Sequence, residues 1–205
     1  MTTTLDDLLR ASSADLFAVV RAAHPLDLDA IGDATYTGID LSMPGWFHKL
    51  MWKSFRKTFY RDPVTGVHRG WNVKVEQVGW DTPPPPKRDR SGRSLSFGHY
   101  EVRSARGLTF PRGWQGEHYL DYRQAGNAWY DFPANAGYCP LVAVNPGDMT
   151  LLLGWEIFKV GGITIPLPDY WVLVREGPLR AEDIVPRPDQ AKGLGLPEQA
   201  QGPTP

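Results

Sequence analysis

The sequence predicts a mainly β protein: an antiparallel β-barrel with helices near its N-terminus and one amphipathic helix as a cap. Three observations lead there. From Arg69 onward, apolar and polar residues alternate with a period of two, as in sheets with one buried and one solvated face. Nineteen Pro and 21 Gly in 205 residues divide the chain into short segments joined by turns. Helical patterns are too few to supply the crossovers that parallel strands need, so seven or eight consecutive strands suit a barrel or sandwich better than a βαβ fold. A barrel also removes the unpaired edges that a sandwich keeps.

The elements follow in order. Ser12 or Ser13 caps a helix over 14–23, with Asp15 in its first turn and His24-Pro25 ending it. Leu16, Phe17, Val19 and Val20 give that helix an apolar side to dock. Residues 26–33 form a short acidic connection, and 35–41 alternate as a first strand. Over 46–60, Phe47, Met51, Phe55 and Phe59 form a stripe at helical spacing, with Lys49, Lys53, Arg56 and Lys57 on the opposite arc. Pro44-Gly45 precedes this basic helix and Asp62-Pro63 stops it. Packed on one end of a barrel, it buries its Phe/Met stripe and leaves its lysines in water.

Trp71, Val73 and Val75 then alternate with Asn72, Lys74 and Glu76. The Pro-rich loop over 81–94 cannot enter a regular ladder. Further strands are expected at 94–103, 117–123, 138–145, 149–160, 163–167 and 170–176, with Gly161-Gly162 as a two-residue hairpin turn. The organisation is therefore a helical segment over 1–33, a barrel over 34–176 and a Pro/Gly-rich tail over 177–205 that is disordered at its end.

The first strand carries a resemblance. Ala34-Thr35-Tyr36-Thr37-Gly38, followed by a helix and meandering strands, is similar to lipocalin-like and fatty-acid-binding-type barrels. It also resembles the Gly-x-Trp-x-Gly strand of bacterial lipocalin-like domains. This chain departs from that pattern with Tyr36 in place of Trp and Ala34 in place of the first Gly. The resemblance implies a cavity for a small molecule and carries over no catalytic residue.

Charge is uneven along a chain of net charge −1. Residues 1–40 hold seven acids against two bases, 41–93 hold eleven bases against four acids, and 94–205 hold twelve acids against nine bases. A basic middle between acidic flanks, at an overall pI near 6.5, points to internal pairing and not to nucleic acid. Cys139 is the single cysteine, so no intrachain disulfide forms, and it reads as a small buried hydrophobe. No basic-then-apolar leader and no bilayer-length apolar run is seen, so the expectation is a cytoplasmic protein.

For chemistry, Ser96–Glu101 and Gly116–Asp121 each hold a His-Tyr pair beside carboxylates. If those strands pair, His99 or His118 could meet Glu101, Glu117 or Asp121, as acid–base catalysis requires; the alternative is a solvated polar face. A metal site would need His99, His118 and an acid, but no closely spaced ligand pair exists, so no metal is expected. Walker A, Gly-x-Gly-x-x-Gly and Gly-x-Ser-x-Gly runs are missing, and no cofactor is expected. Trp71, Val73, His99, Tyr100, Tyr119, Tyr122, Trp155 and Trp171 are the candidate ligand-binding set, with Tyr170 among the rings that line a pocket or simply fill the barrel. Lys49, Lys53, Arg56 and Lys57 are the candidates for a membrane or partner surface. The function expected is binding or carriage of a small apolar ligand. The alternatives are an enzyme using a His/carboxylate pair in the same cavity, and a peripheral membrane or interaction protein.

Overall fold

The computed structural model describes residues 2–42, 53–79 and 81–193. Eight antiparallel strands close on themselves in sequence order: β1 (Ala34–Asp40), β2 (Ser54–Arg61), β3 (His68–Val73), β4 (Ser96–Ser104), β5 (His118–Asp121), β6 (Tyr138–Asn145), β7 (Asp148–Val160) and β8 (Ile163–Pro178). The pairing of β1 with β8, from Ala34 opposite Pro178 to Asp40 opposite Trp171, completes the ring. The turn Gly161-Gly162 joins β7 to β8, as the sequence suggested. β8 is one continuous strand, not two. Pro166 and Pro168 are accommodated because its first residues extend past the ladder with β1 and pair with β7 alone.

The amphipathic helix expected over 46–60 is not formed in its second half, which is strand β2. Residues 43–52, including Trp46, Phe47 and Lys49, lie outside the described residues. The reason is a shared spacing: Phe55 and Phe59, four apart, fall on one side of a helix and equally on one face of a strand. What separates the two geometries is Lys57. In a helix it sits about 200° from Phe55, whereas in a strand it shares the face of both rings. The aromatic and β-branched residues Phe55, Thr58, Phe59 and Tyr60 favour the strand, and the lysine goes inward with Phe55 and Phe59.

Three helices precede the barrel: α1 (Leu5–Arg10), α2 (Ser13–Ala22) and α3 (Leu28–Ile31). Ser12 caps α2 in a reciprocal box with Asp15. Leu8, Leu16 and Val20 from α1 and α2 pack outside the barrel on Val142, Val144, Leu151, Leu153, Trp155 and Val172. Trp114 Nε1 donates to the Val20 carbonyl at 3.0 Å and ties α2 to the β4–β5 connection. Leu26 and Ile31 belong to the second core, inside the barrel, where they close one end beside Tyr36 and Met149.

After β8 the chain does not leave the surface. Leu179 N–H donates to Asp33 O, Arg69 Nη1 donates to Val185 O at 3.0 Å, and Arg187 reaches Glu101 at 2.6 Å. Residues 188–193, expected within a disordered tail, form helix α4 (Pro188–Gly193). The basic middle segment pairs with both flanks: Arg61 with Asp29 at 3.2 Å and Arg56 with Glu176 at 2.9 Å.

Candidate functional site

Alternation along each strand assigns one residue in two to the lumen, and the lumen has two unlike halves. Toward the end closed by α3, Tyr36, Phe59, Tyr100, Leu120, Leu141, Leu152 and Leu173 fill the interior. Tyr36 meets Phe59 edge-on at 5.4 Å and Phe59 meets Tyr100 at 5.8 Å. Both phenols find backbone acceptors, Tyr36 Oη at Met149 O and Tyr100 Oη at Thr58 O. Tyr100 lies across a position where no side chain fits. A Cβ on Gly70 would stand 2.0 Å from Thr58 O and 2.5 Å from the phenol ring.

Above this layer the lumen turns polar. Lys57 is 1% exposed. Its Nζ donates to Asn72 Oδ1 and to Tyr122 Oη, both at 2.7 Å. The rings of Tyr100 and Trp171 face the amine at 4.5 and 4.7 Å, with Tyr122 and Phe55 slightly farther. Among the described residues Lys57 forms no ion pair with a carboxylate. Burial therefore dominates its protonation and pushes the amine down to about 7, against a weaker upward pull from Cys139 and Glu156. Burial also raises the Tyr122 phenol and the Cys139 thiol well above their ordinary values.

Three carboxyls, on β1, β7 and β8, ring the other end. Glu156 accepts from Trp171 Nε1 at 3.1 Å, and burial raises its carboxyl despite that bond. Asp169 is buried and its Oδ1 has no hydrogen-bond partner. Burial first, then the neighbouring charges of Asp40 and Glu156 and a hydrogen bond with Asp40, push it up to about 8. Trp171 joins the two layers. It lies flat enough on the β7 backbone that a Cβ at Gly154 would come within 2.2 Å of its ring.

Of the sequence-derived candidates, Tyr100, Tyr122 and Trp171 meet in this lumen. The others do not. Tyr119 and Trp155 face outward under the helices and loops, where Trp155 meets Phe17 at 5.2 Å and Tyr119 meets Phe110 at 5.3 Å. Trp71, Val73 and His99 lie on the outer face of β3 and β4, because Asn72 and not Trp71 points inward. Trp71 Nε1 and His99 Nδ1 are buried there without partners, and burial with Arg69 and Arg187 lowers His99 to about 3. Two of the carboxylates weighed for catalysis, Glu101 and Asp121, are on that outer face too. Glu101 is held by Arg103 and Arg187, and Asp121 by Arg123 at 2.9 Å. β4 and β5 do pair, but the register sets His118 opposite Ser104, far along the strand from His99.

Of the surface-contact candidates, Lys49 lies outside the described residues, Arg56 pairs with Glu176, and Lys57 is internal. Lys53 stays at the barrel end, its N–H donating to Gln77 Oε1 at 2.9 Å. Sequence reasoning missed Asn72, Glu156, Asp169 and Asp40, and it read Lys57 as solvated. The available signal was a charge or amide two residues from inward apolar neighbours: Lys57 between Phe55 and Phe59, Glu156 within Met149–Val160. Among the described residues no group of three or more His, Cys, Asp or Glu is arranged to hold a metal ion.

The chain matches no family model, no curated protein and no solved structure. Its functional reading therefore rests on the lumen itself.

Proposed function

We propose that the barrel binds a small amphipathic ligand whose oxygen-bearing end, a carboxylate or carbonyl, enters first and is received by Lys57. The observation that carries this reading is the fully enclosed amine without a carboxylate partner. Such a group costs several kcal/mol to bury, so a barrel selected only to be stable would fill the position with an apolar side chain. A protonated lysine has three N–H donors, and Asn72 and Tyr122 take two. The third serves a ligand oxygen arriving from the side of Glu156 and Asp169. Phe55 and Trp171 supply apolar walls for the rest of the molecule, so the expected apolar carrier becomes a carrier of polar-headed ligands.

The test is a thermal-shift and fluorescence screen of aliphatic carboxylates, aldehydes and ketones and of neutral lipophiles against the protein and Lys57→Met. Carboxylates or carbonyl compounds should raise Tm in the wild type only. A ligand that binds Lys57→Met as tightly as the wild type, or silence across the whole panel, would overturn the proposal. An acid–base enzyme built on His99 gains no support, because Glu101 and Asp121 on its face are tied to arginines on the outer wall.

A further inference from the structure

Outside the barrel, between α2 and the wall, a cleft of about 360 Å³ is lined by Phe17, Ala18, Arg21, Arg112, Pro168 and Tyr170, among others. It is separate from the lumen, since Tyr170 faces outward while its neighbour Trp171 faces in. Three features distinguish it. Neither Arg21 nor Arg112 forms an ion pair among the described residues. Arg112 holds a left-handed backbone (φ 53°, ψ 20°), which is unfavourable for a residue with a side chain, and its guanidinium lies 5.1 Å from the Phe17 ring and 5.7 Å from the Trp155 ring. Tyr170 is fully buried, and its hydroxyl lies beside the Arg112 guanidinium without reaching hydrogen-bond geometry with any group.

From these we infer that the cleft is a binding site for a small oxyanion carried on a flat apolar body, an aryl carboxylate or aryl phosphate. The Phe17 and Trp155 rings lie against the Arg112 guanidinium, and its N–H groups other than the one turned to the Tyr170 hydroxyl remain for a ligand. Two unpaired guanidiniums on one cleft offer the planar forked donors that match carboxylate and phosphate oxygens. Phe17, the Tyr170 ring, Ala18 and Pro168 give the anion's carrier an apolar bed. The volume sits at the small end of ligand pockets, which suits a single ring and not a lipid chain. The Tyr170 hydroxyl supplies a further donor once a ligand draws Arg112 aside.

The experiment is a titration followed by calorimetry and by the arginine Nε–Hε resonances, with phenyl phosphate, benzoate, inorganic phosphate and benzyl alcohol as probes. Phenyl phosphate or benzoate should shift the Arg112 and Arg21 signals, bind at least tenfold more tightly than inorganic phosphate, and leave benzyl alcohol without effect. Which of the two aryl anions binds better distinguishes phosphate from carboxylate recognition. Arg112→Gly, suited to the left-handed backbone, should keep or raise Tm while weakening binding about tenfold or more, and Arg21→Gln should weaken it similarly. Lys57→Met should leave this binding unchanged, which separates it from the lumen. Undisturbed arginine signals with both aryl anions at millimolar concentration, wild-type affinity in Arg112→Gly, or equal binding of inorganic and phenyl phosphate would overturn the inference.

Discussion

The two halves of the lumen are built from the same eight strands yet serve opposite ends. The half closed by α3 is packed with rings and leucines whose few polar atoms all find backbone partners. The other half buries an amine, a thiol and two carboxyls whose protonation burial has moved toward the neutral form. Close-packed apolar side chains stabilise a fold, while partly satisfied polar groups in low dielectric weaken it. The contrast teaches that stability resides in one half, while the other carries the strained polar groups on which the proposed ligand site rests.

The largest effect should come from the packed half. Phe59→Ala removes a ring held between Tyr36 and Tyr100 and should cost about 3–5 kcal/mol in urea unfolding, with no change in ligand preference beyond the loss of fold. In the polar half the sign reverses. Lys57→Met should stabilise the unliganded protein by about 1–4 kcal/mol, because the desolvated amine is removed while Tyr122 and Asn72 keep each other as partners, and it should abolish ligand binding. A destabilised Lys57→Met would blur the division between the halves.

Stability against pH sharpens it further. Asp169, raised to about 8 in the fold from an unfolded value near 3.8, keeps its proton in the native state. Its contribution is complete at acid pH and is lost as pH climbs toward 8, at a slope of at most about 1.4 kcal/mol per pH unit. Lys57 titrates near 7 in the fold but near 10.5 unfolded, so the native state binds fewer protons across that window and stability recovers from about pH 7 toward 10. Denaturation curves should show a trough between pH 7 and 8. Asp169→Asn should remove the acid-side decline and Lys57→Met the alkaline recovery. If both variants keep the wild-type profile, the polar half does not titrate as described.

The smallest expected effect concerns Cys139. With its thiol buried and raised, labelling by a disulfide reagent at pH 8 should proceed only as fast as the barrel opens, and Cys139→Ala should change stability by no more than about 1–2 kcal/mol. Fast labelling of the native protein would place solvent deeper in the lumen than its packing implies.

Much of the wall was legible in the residues. The 138–145 and 149–160 runs, the Gly161-Gly162 turn and the capped helix near Ser12 are local signals, each read from period and turn chemistry alone. Which face of a strand turned inward was harder. Trp71 and Val73 look like the buried face of β3, and they are buried, but on the outside of the barrel beside Arg69 and His99. Both faces of this wall are covered, so hydrophobicity does not distinguish lumen from exterior. The same ambiguity hid the site: Asn72 and Lys57 looked solvated because polar residues usually are.

Period, turn residues and composition by themselves determined that the chain is a sequence of antiparallel strands preceded by short helices, since those properties depend on neighbours within a few positions. Tertiary closure decided that Ser54–Arg61 is a strand, that Lys57 faces its rings inward, and that Asp40, Glu156 and Asp169 meet at one end. Those outcomes depend on groups brought together from across the chain. Only the closed ring of strands supplies the burial that turns a basic surface residue into an internal amine.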